Sequence, residues 1–350
     1  MDPKISNLVT DDNYLKFTLS GVNVSIANAL RRIILSEIPT IVFRTSPYEE
    51  NLVDFQLNTT RMNNELIKQR LSCVPIHITD TGFEHKDYLV EADLQNDTDA
   101  IMYLTTGDFK IKNTQNDKYL TDGEVKKIFP PDSISNDFIE LVRLRPKISD
   151  VIPGEHIKFS AQLDIGMAKQ DSAFNVASTC SYGASIDPIK INEVWTNKNK
   201  ELKASGETKD SIASIKKDWD LLDAKRIILT DSFDFTIESV GPFTNYMIVH
   251  KAADVMIGKL KKFSDDIQSN ESMIKESSST IQHCYDIVLE NEDHTLGKVL
   301  EYILYTKYYQ IDKANTEEQT STNNLTYCGF SKPHPHINQS IVRIAFINNK

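Results

Sequence analysis

The spacing of apolar positions changes several times along the chain, and each change marks an element. Leu15, Phe17 and Leu19 alternate with polar residues, which predicts a strand over 14–19 with one buried face. The spacing then lengthens: Ile26, Leu30, Ile33 and Ile34 recur at three- and four-residue steps, the stripe of an amphipathic helix. Ser25 is placed to cap its start, and Pro39 ends it because the residue before a proline resists the helical region. At 100° per residue Arg32 points away from the stripe, beside Asn28 and Leu35, with Arg31 at its edge. One face is therefore expected to hold the fold, and two guanidinium groups are expected to be free to grip carboxylates on another surface. Residues 40–43 follow as a second strand.

From residue 45 to about 174 the pattern becomes short strand-like runs between turn-rich segments, with a short helix over 65–74 stopped by Pro75 and a turn and strand over 151–159. Residues 175–245 return to long alternating or apolar runs, among them the strand-like 234–241. Val249, Ala252, Ala253, Met256, Leu260 and Phe263 keep helical spacing over 246–263. Residues 264–280 are polar with no sustained stripe and read as a linker, which as a flexible coil of about 17 residues spans on the order of 20–25 Å. Beyond it the opening plan recurs. Tyr285, Ile287 and Leu289 alternate; Asp293 or Thr295 is placed to cap a helix; Leu296, Val299, Leu300, Ile303 and Leu304 form its stripe. A polar loop over 312–324 leads to an extended run over 325–330 and a strand over 341–347, in which Val342, Ile344 and Phe346 share a face. First and last sections are thus diverged copies of one strand–helix–strand plan, and pairing across a pseudo-twofold axis is the economical way to close their cores.

At 350 residues the chain has room for two or three domains. Its net charge of −11 argues against a protein held on DNA by non-specific phosphate contacts. Four single cysteines (Cys73, Cys180, Cys284, Cys328) without a CxxC pair fit reduced intracellular thiols better than a disulfide frame or a zinc site. The first residues do not form a signal peptide, and no apolar run has the length to span a bilayer, so no membrane role is expected.

Three strings of mixed residue type carry more than periodicity. Asn28-Ala29-Leu30-Arg31-Arg32-Ile33-Ile34-Leu35-Ser36-Glu37-Ile38-Pro39 resembles the signature helix of the α-type assembly subunits of multisubunit RNA polymerases: bacterial α, its D-type counterpart in archaea and the third-largest subunit of eukaryotic polymerase II. The arginine–leucine pair Arg70-Leu71 before Pro75, the loop Gly166-Met167-Ala168-Lys169 and the strand over 234–241 resemble the same family. Glu292-Asp293-His294-Thr295-Leu296-Gly297-Lys298 resembles the hallmark of the small partner subunits, the archaeal L-type and the eleventh of polymerase II. Gly329-Phe330-Ser331-Lys332-Pro333-His334-Pro335 is similar to their second hallmark.

The resemblance implies an α+β fold. A D-like dimerisation domain (1–44 and 175–263) is interrupted by an inserted β-rich domain (45–174). A linker (264–281) then joins it to an L-like domain (282–350) that pairs with it as an intramolecular pseudo-heterodimer. Tethering would hold the two halves at an effective concentration in the millimolar range. The order of signatures resembles the subunit fusions of large nucleocytoplasmic DNA viruses, implying a virus factory and virion as location, or the nucleus for a cellular protein. The implied role is a non-catalytic platform for the largest and second-largest polymerase subunits, touching DNA and RNA only through the complex. Asn28, Arg31 and Arg32 would dock the second-largest subunit. The stripes through Ile26, Leu30, Ile33 and Ile34 and through Leu296 and Leu300 would form the dimer core, with Leu35, His294, Thr295, Gly297, Pro333, His334 and Pro335 completing the interface.

Two departures from the family stand out. Residues 79–174 contain no cysteine, so the family's metal loop is expected to be missing and no cofactor is expected. The sequence ends at Lys350, just past the last strand, so the long helix that follows in the small subunits is expected to be lost or truncated. Two other classes compete. A free-standing DNA-binding regulator is disfavoured by the acidic charge. An enzyme or metal site built on Cys328, His334, His336 and His294 is weaker than a structural turn, because histidines beside prolines lack zinc-ligand spacing. Gly297-Lys298 lacks the glycine loop of a phosphate site, and no Ser/His/Asp order rises above chance.

Overall fold

The computed structural model describes residues 1–11, 13–80, 82, 84–149, 151–309 and 325–347, so the polar loop expected over 312–324 lies outside the described residues. The chain forms two compact units, one of residues 1–33, 179–238 and 252–350, the other of residues 34–178 and 239–251. The second is wider than the 45–174 segment read from the sequence.

In chain order the elements begin with β1 (Lys4–Asp11), β2 (Tyr14–Ser20), α1 (Val24–Ser36), β3 (Thr40–Phe43), β4 (Val53–Asn58) and α2 (Asn64–Ser72). Then come β5 (Tyr88–Gln95), β6 (Met102–Thr105), β7 (Lys110–Asn113), β8 (Lys118–Tyr119), α3 (Asp122–Ile128), β9 (Glu140–Leu144) and β10 (His156–Gly166). The remainder is β11 (Ala177–Ile186), α4 (Pro188–Ala204), α5 (Lys209–Leu221), β12 (Ile228–Ser239), α6 (Asn245–Ser269), β13 (Ile274–Glu276), β14 (Cys284–Glu290), α7 (His294–Tyr308), β15 (Leu325–Ser331) and β16 (Gln339–Phe346).

The first unit carries two antiparallel four-stranded sheets, ordered β1-β2-β12-β11 and β13-β14-β16-β15. Alternation in β2 buries Leu15, Phe17 and Leu19, and register sets Phe17 opposite Phe235, their rings stacked at 5.2 Å. In the second sheet β14 pairs with β16, and Ile287, Leu289, Leu296, Leu300 and Val342 form a core. Met256, Leu260, Phe263 and Ile267 of α6 pack against that core, so the stripe of α6 faces α7 and its sheet. The second unit is built on a sheet ordered β3-β10-β5-β7-β8, with β4 also pairing β10, plus the β6-β9 ribbon. Phe43, Phe109, Phe129 and Phe159 form its aromatic centre.

Two sequence expectations fail here. Residues 175–245, read as extended runs, contain the helical pair α4 and α5. Asp187 caps α4 by accepting from Ile189 N and Lys190 N, with Pro188 in the first turn, and Thr208 caps α5. Trp195 and Trp219 pack 5.2 Å apart, with the Lys216 ammonium 4.7 Å from the Trp195 ring. The stretch 264–280, read as a coil linker, is instead ordered: α6 runs on to Ser269, and β13 pairs with β14. Ile267 anchors the helical extension on the core, and backbone pairing to β14 holds β13, whose three residues are all exposed.

Candidate subunit interface

Helix α1 starts one residue before Ser25, and its cap is Asn23, whose Oδ1 accepts from Ser25 N at 2.9 Å. Ser25 is already inside the first turn, so its expected capping role passes to the residue whose side chain can reach back over the free N–H groups. Ala27, Ala29, Ile33 and Ile34 are buried, while Ile26, Asn28, Leu30, Arg31, Arg32 and Leu35 are half-buried. Only Val24 in this helix is exposed. The helix therefore lacks the open polar face that the periodicity suggested, the signature of an element covered nearly all round.

Its arginines are engaged within the chain. Arg32 Nη2 donates to Asp293 Oδ2 at 2.6 Å and Arg32 Nε to Thr295 Oγ1 at 2.8 Å. The other carboxylate oxygen of Asp293 accepts from Thr295 N at 2.8 Å, capping α7. One carboxylate thus starts a helix and fixes a guanidinium belonging to another. Thr295 is 1% exposed, and the Arg32 and Asp293 side chains 33% and 23%. The expectation that Arg32 is presented outward is corrected: the start of α7 supplies a carboxylate and a hydroxyl at the spacing of its N–H groups. Arg31 Nε and Nη2 both donate to Asn28 Oδ1, at 3.1 and 3.0 Å, a clamp within one helical turn.

Beside this joint Lys259 Nζ of α6 reaches both oxygens of Glu292, at 2.9 and 2.7 Å, and Ser340 Oγ donates to the Glu292 carbonyl. Residues 292–295 therefore tie α7 to α1, α6 and β16. Sequence reasoning missed Lys259 and Glu292 because nothing in their spacing names a partner 33 residues away.

The two C-terminal strings also meet. A Cβ at Gly297 would lie 2.0 Å from Phe330 Cε2, so only glycine lets β15 seat its aromatic ring on α7. A glycine in the first turn of a helix was the available signal. Buried Leu296 and Leu300 lie on the core side of α7, and exposed His294 meets the Phe330 ring edge at 4.9 Å. Glu301 Oε2 accepts from Phe330 N and Lys298 Nζ at 3.1 and 2.6 Å. Pro333, His334 and Pro335 are exposed, and His334 Nδ1 accepts from His336 N at 3.1 Å, so these histidines close a turn. The Cys328 thiol is directed to the Glu301 carbonyl at 3.8 Å, and burial with the Glu301 charge pushes it up to about 11. Among the described residues no three His, Cys, Asp or Glu side chains converge as a metal site, and no helix is long and apolar enough to cross a membrane.

The arrangement is a polar joint that fixes the start of α7 against α1 and α6. The profile of the RNA polymerase Rpb3/Rpb11 dimerisation domain matches residues 16–260, and the chain belongs to this family. Among its relatives, DNA-directed RNA polymerase subunit Rpo3 of Pyrococcus furiosus is 26% identical over 285 residues, covering 76% of this chain and 97% of the relative. DNA-directed RNA polymerases I and III subunit RPAC1 of Bos taurus is 24% identical, covering 74% of this chain and 83% of the relative. DNA-directed RNA polymerases II, IV and V subunit 3 of Arabidopsis thaliana is 25% identical, covering 75% and 92%.

Proposed function

We propose that this protein is a non-catalytic assembly subunit of a DNA-directed RNA polymerase, one polypeptide that carries both halves of the α-like platform. The observation that carries the intramolecular pairing is the Arg32 bond to Asp293 and Thr295, which joins the third-subunit-like signature helix to the eleventh-subunit-like hallmark. The packing of α6 on the core of α7 and β14 supports the same reading. In it, residues 1–44 and 175–263 act as the D-like half, 45–174 as the insert and 282–350 as the L-like half. Asn28, Arg31 and Leu35 are the part of α1 that meets the second-largest subunit, while Arg32 holds the two halves together. The order of the two signatures supports a fused subunit of the kind found in large nucleocytoplasmic DNA viruses, working inside the infected cell. Net charge −11 speaks against the alternative of a free-standing DNA-binding regulator.

The test is co-expression with the two largest subunits of the same polymerase. The intact chain is expected to co-purify with both. Arg31→Ala is expected to weaken retention of the second-largest subunit at least tenfold while amide exchange in α7 is unchanged; Arg32→Ala is expected to loosen α7 first. Failure to co-purify, or salt-sensitive duplex DNA binding by the chain alone, would sink the scaffold reading.

A further inference from the structure

The inserted unit carries a groove that the platform role does not use. It is a cavity of about 670 Å³ lined by Leu57, Ile101, Ile148, Ile152, Pro146 and Arg143 among others. Its apolar walls are open to solvent: Ile148 is 76% exposed, Ile152 52% and Ile101 49%. Three branched aliphatic side chains held in solvent around one concavity are costly to a free protein and mark a contact surface.

The groove is rigid by construction. Asn96, 0% exposed, donates through Nδ2 to the carbonyls of Ala100 and Leu144 at 2.8 and 3.0 Å. Its Oδ1 accepts from Thr98 N and Oγ1 at 3.0 and 2.8 Å, so one buried amide fixes the 96–100 loop to the end of β9. Residues 154–155 are pressed against it. A Cβ at Gly154 would stand 1.8 Å from the Asn96 carbonyl, and Asn96 N donates to the Glu155 carbonyl at 2.9 Å. Buried Glu155 then takes both Arg145 N and Nε, at 2.8 and 2.5 Å, neutralising that guanidinium. Such walls lose little entropy when a ligand seats between them.

Of the charged groups lining the groove, Arg145 and Glu155 pair with each other, and Arg143 stands apart from that pair. Arg143 is exposed, and among the described residues its side chain has no ion pair. On a chain of net charge −11, an uncompensated guanidinium in an apolar concavity complements an anionic, apolar ligand.

We propose that this groove docks a short acidic segment of another polymerase subunit, one large apolar side chain entering between Ile101, Ile148 and Ile152 while an adjacent carboxylate pairs with Arg143. The inference rests on the scaffold reading, since the partner is a subunit assembled on the same platform. The experiment places a photoreactive benzophenone amino acid at Ile148 in the full chain, within the co-expressed polymerase, and sequences the crosslinked peptide. The expected product joins Ile148 to a peptide with an apolar residue next to Asp or Glu. Arg143→Glu is expected to reduce its yield at least tenfold, and changing the partner acid to Lys should restore it. Because Arg143 is exposed, its reversal tests contact rather than folding. An assembled polymerase without this crosslink, a crosslink to nucleic acid, or a yield within twofold in Arg143→Glu would overturn the groove proposal and leave the scaffold role standing. A chain that fails to enter the polymerase would remove both.

Discussion

The Arg32–Asp293 joint can be weighed by a double-mutant cycle that separates charge from capping. Asp293→Asn keeps a side-chain oxygen to accept from Thr295 N, so the cap of α7 survives while the charge is lost. Arg32→Met keeps the apolar stem and removes the guanidinium. Two unit charges about 4 Å apart attract by about 4 kcal/mol at an effective dielectric of 20. With the side chains 33% and 23% exposed, solvent screens much of that. Fully exposed pairs measure about 0.2–1 kcal/mol, and breaking a buried pair costs about 3–5 kcal/mol. This joint, short and charge-assisted but partly wet, belongs between them, at a coupling of about 1.5–2.5 kcal/mol. The readout is native-state amide exchange in α7, which reports local opening without requiring the whole chain to unfold in one step. The coupling corresponds to roughly a 10- to 60-fold change in opening equilibrium. A coupling below about 0.5 kcal/mol, the range in which independent sites add, would refute the claim that this pair holds α7.

Other expectations follow from single contacts. Gly297→Ala drives a methyl into the Phe330 ring and is expected to cost about 1–3 kcal/mol by overpacking, with Phe330→Leu in the same chain restoring part of the loss in a thermal melt. Alkylation by iodoacetamide near pH 8 is expected to modify exposed Cys73 first. Cys180, pushed up to about 12 by burial, and Cys328, pushed up to about 11, stay protonated and slow; rapid labelling of Cys328 in the folded chain would contradict its burial. The Arg343 guanidinium bonded to Asp286 holds that carboxyl below its ordinary value of 3.8. Its stabilisation is complete above that value and is lost as pH falls through the lower folded-state value, so Asp286→Asn is expected to flatten the acid limb of a stability–pH profile. An unchanged acid limb would show that the pair contributes nothing measurable.

How much of this was legible depends on the kind of signal each residue carries. The strand over 14–19 and the helices around Ile33 and Leu300 were readable because burial there follows the spacing of apolar residues. The helical pair α4 and α5 was missed although Asp187-Pro188, Gly206 and Thr208 are start and stop signals, because weak amphipathicity over 188–221 leaves Trp219 as the single side chain buried in these two helices. The extension of α6 and strand β13 were hidden for a related reason: the extension adds one apolar contact, Ile267, and β13 is exposed throughout. The candidate interface was half legible. Periodicity put Arg32 off the stripe, yet its partner is set by which helix end abuts it, and no spacing rule encodes that.

The polar string at 292–295 shows why such an interface is written in mixed residue types. An apolar stripe can slide along another at little cost, since Leu296, Leu300, Met256, Leu260 and Phe263 have no preferred register beyond filling space. A carboxylate that both caps α7 and binds Arg32 cannot slide, and neither can Glu292 held by Lys259 on α6. Each bond fixes a helix end against a different neighbour, so together they allow α7 one position. A 15-residue helix is marginal in isolation, which leaves its order dependent on α1 and α6 at once. The same dependence makes covalent linkage advantageous. When the elements that order α7 lie on the same polypeptide, their effective concentration does not fall with dilution.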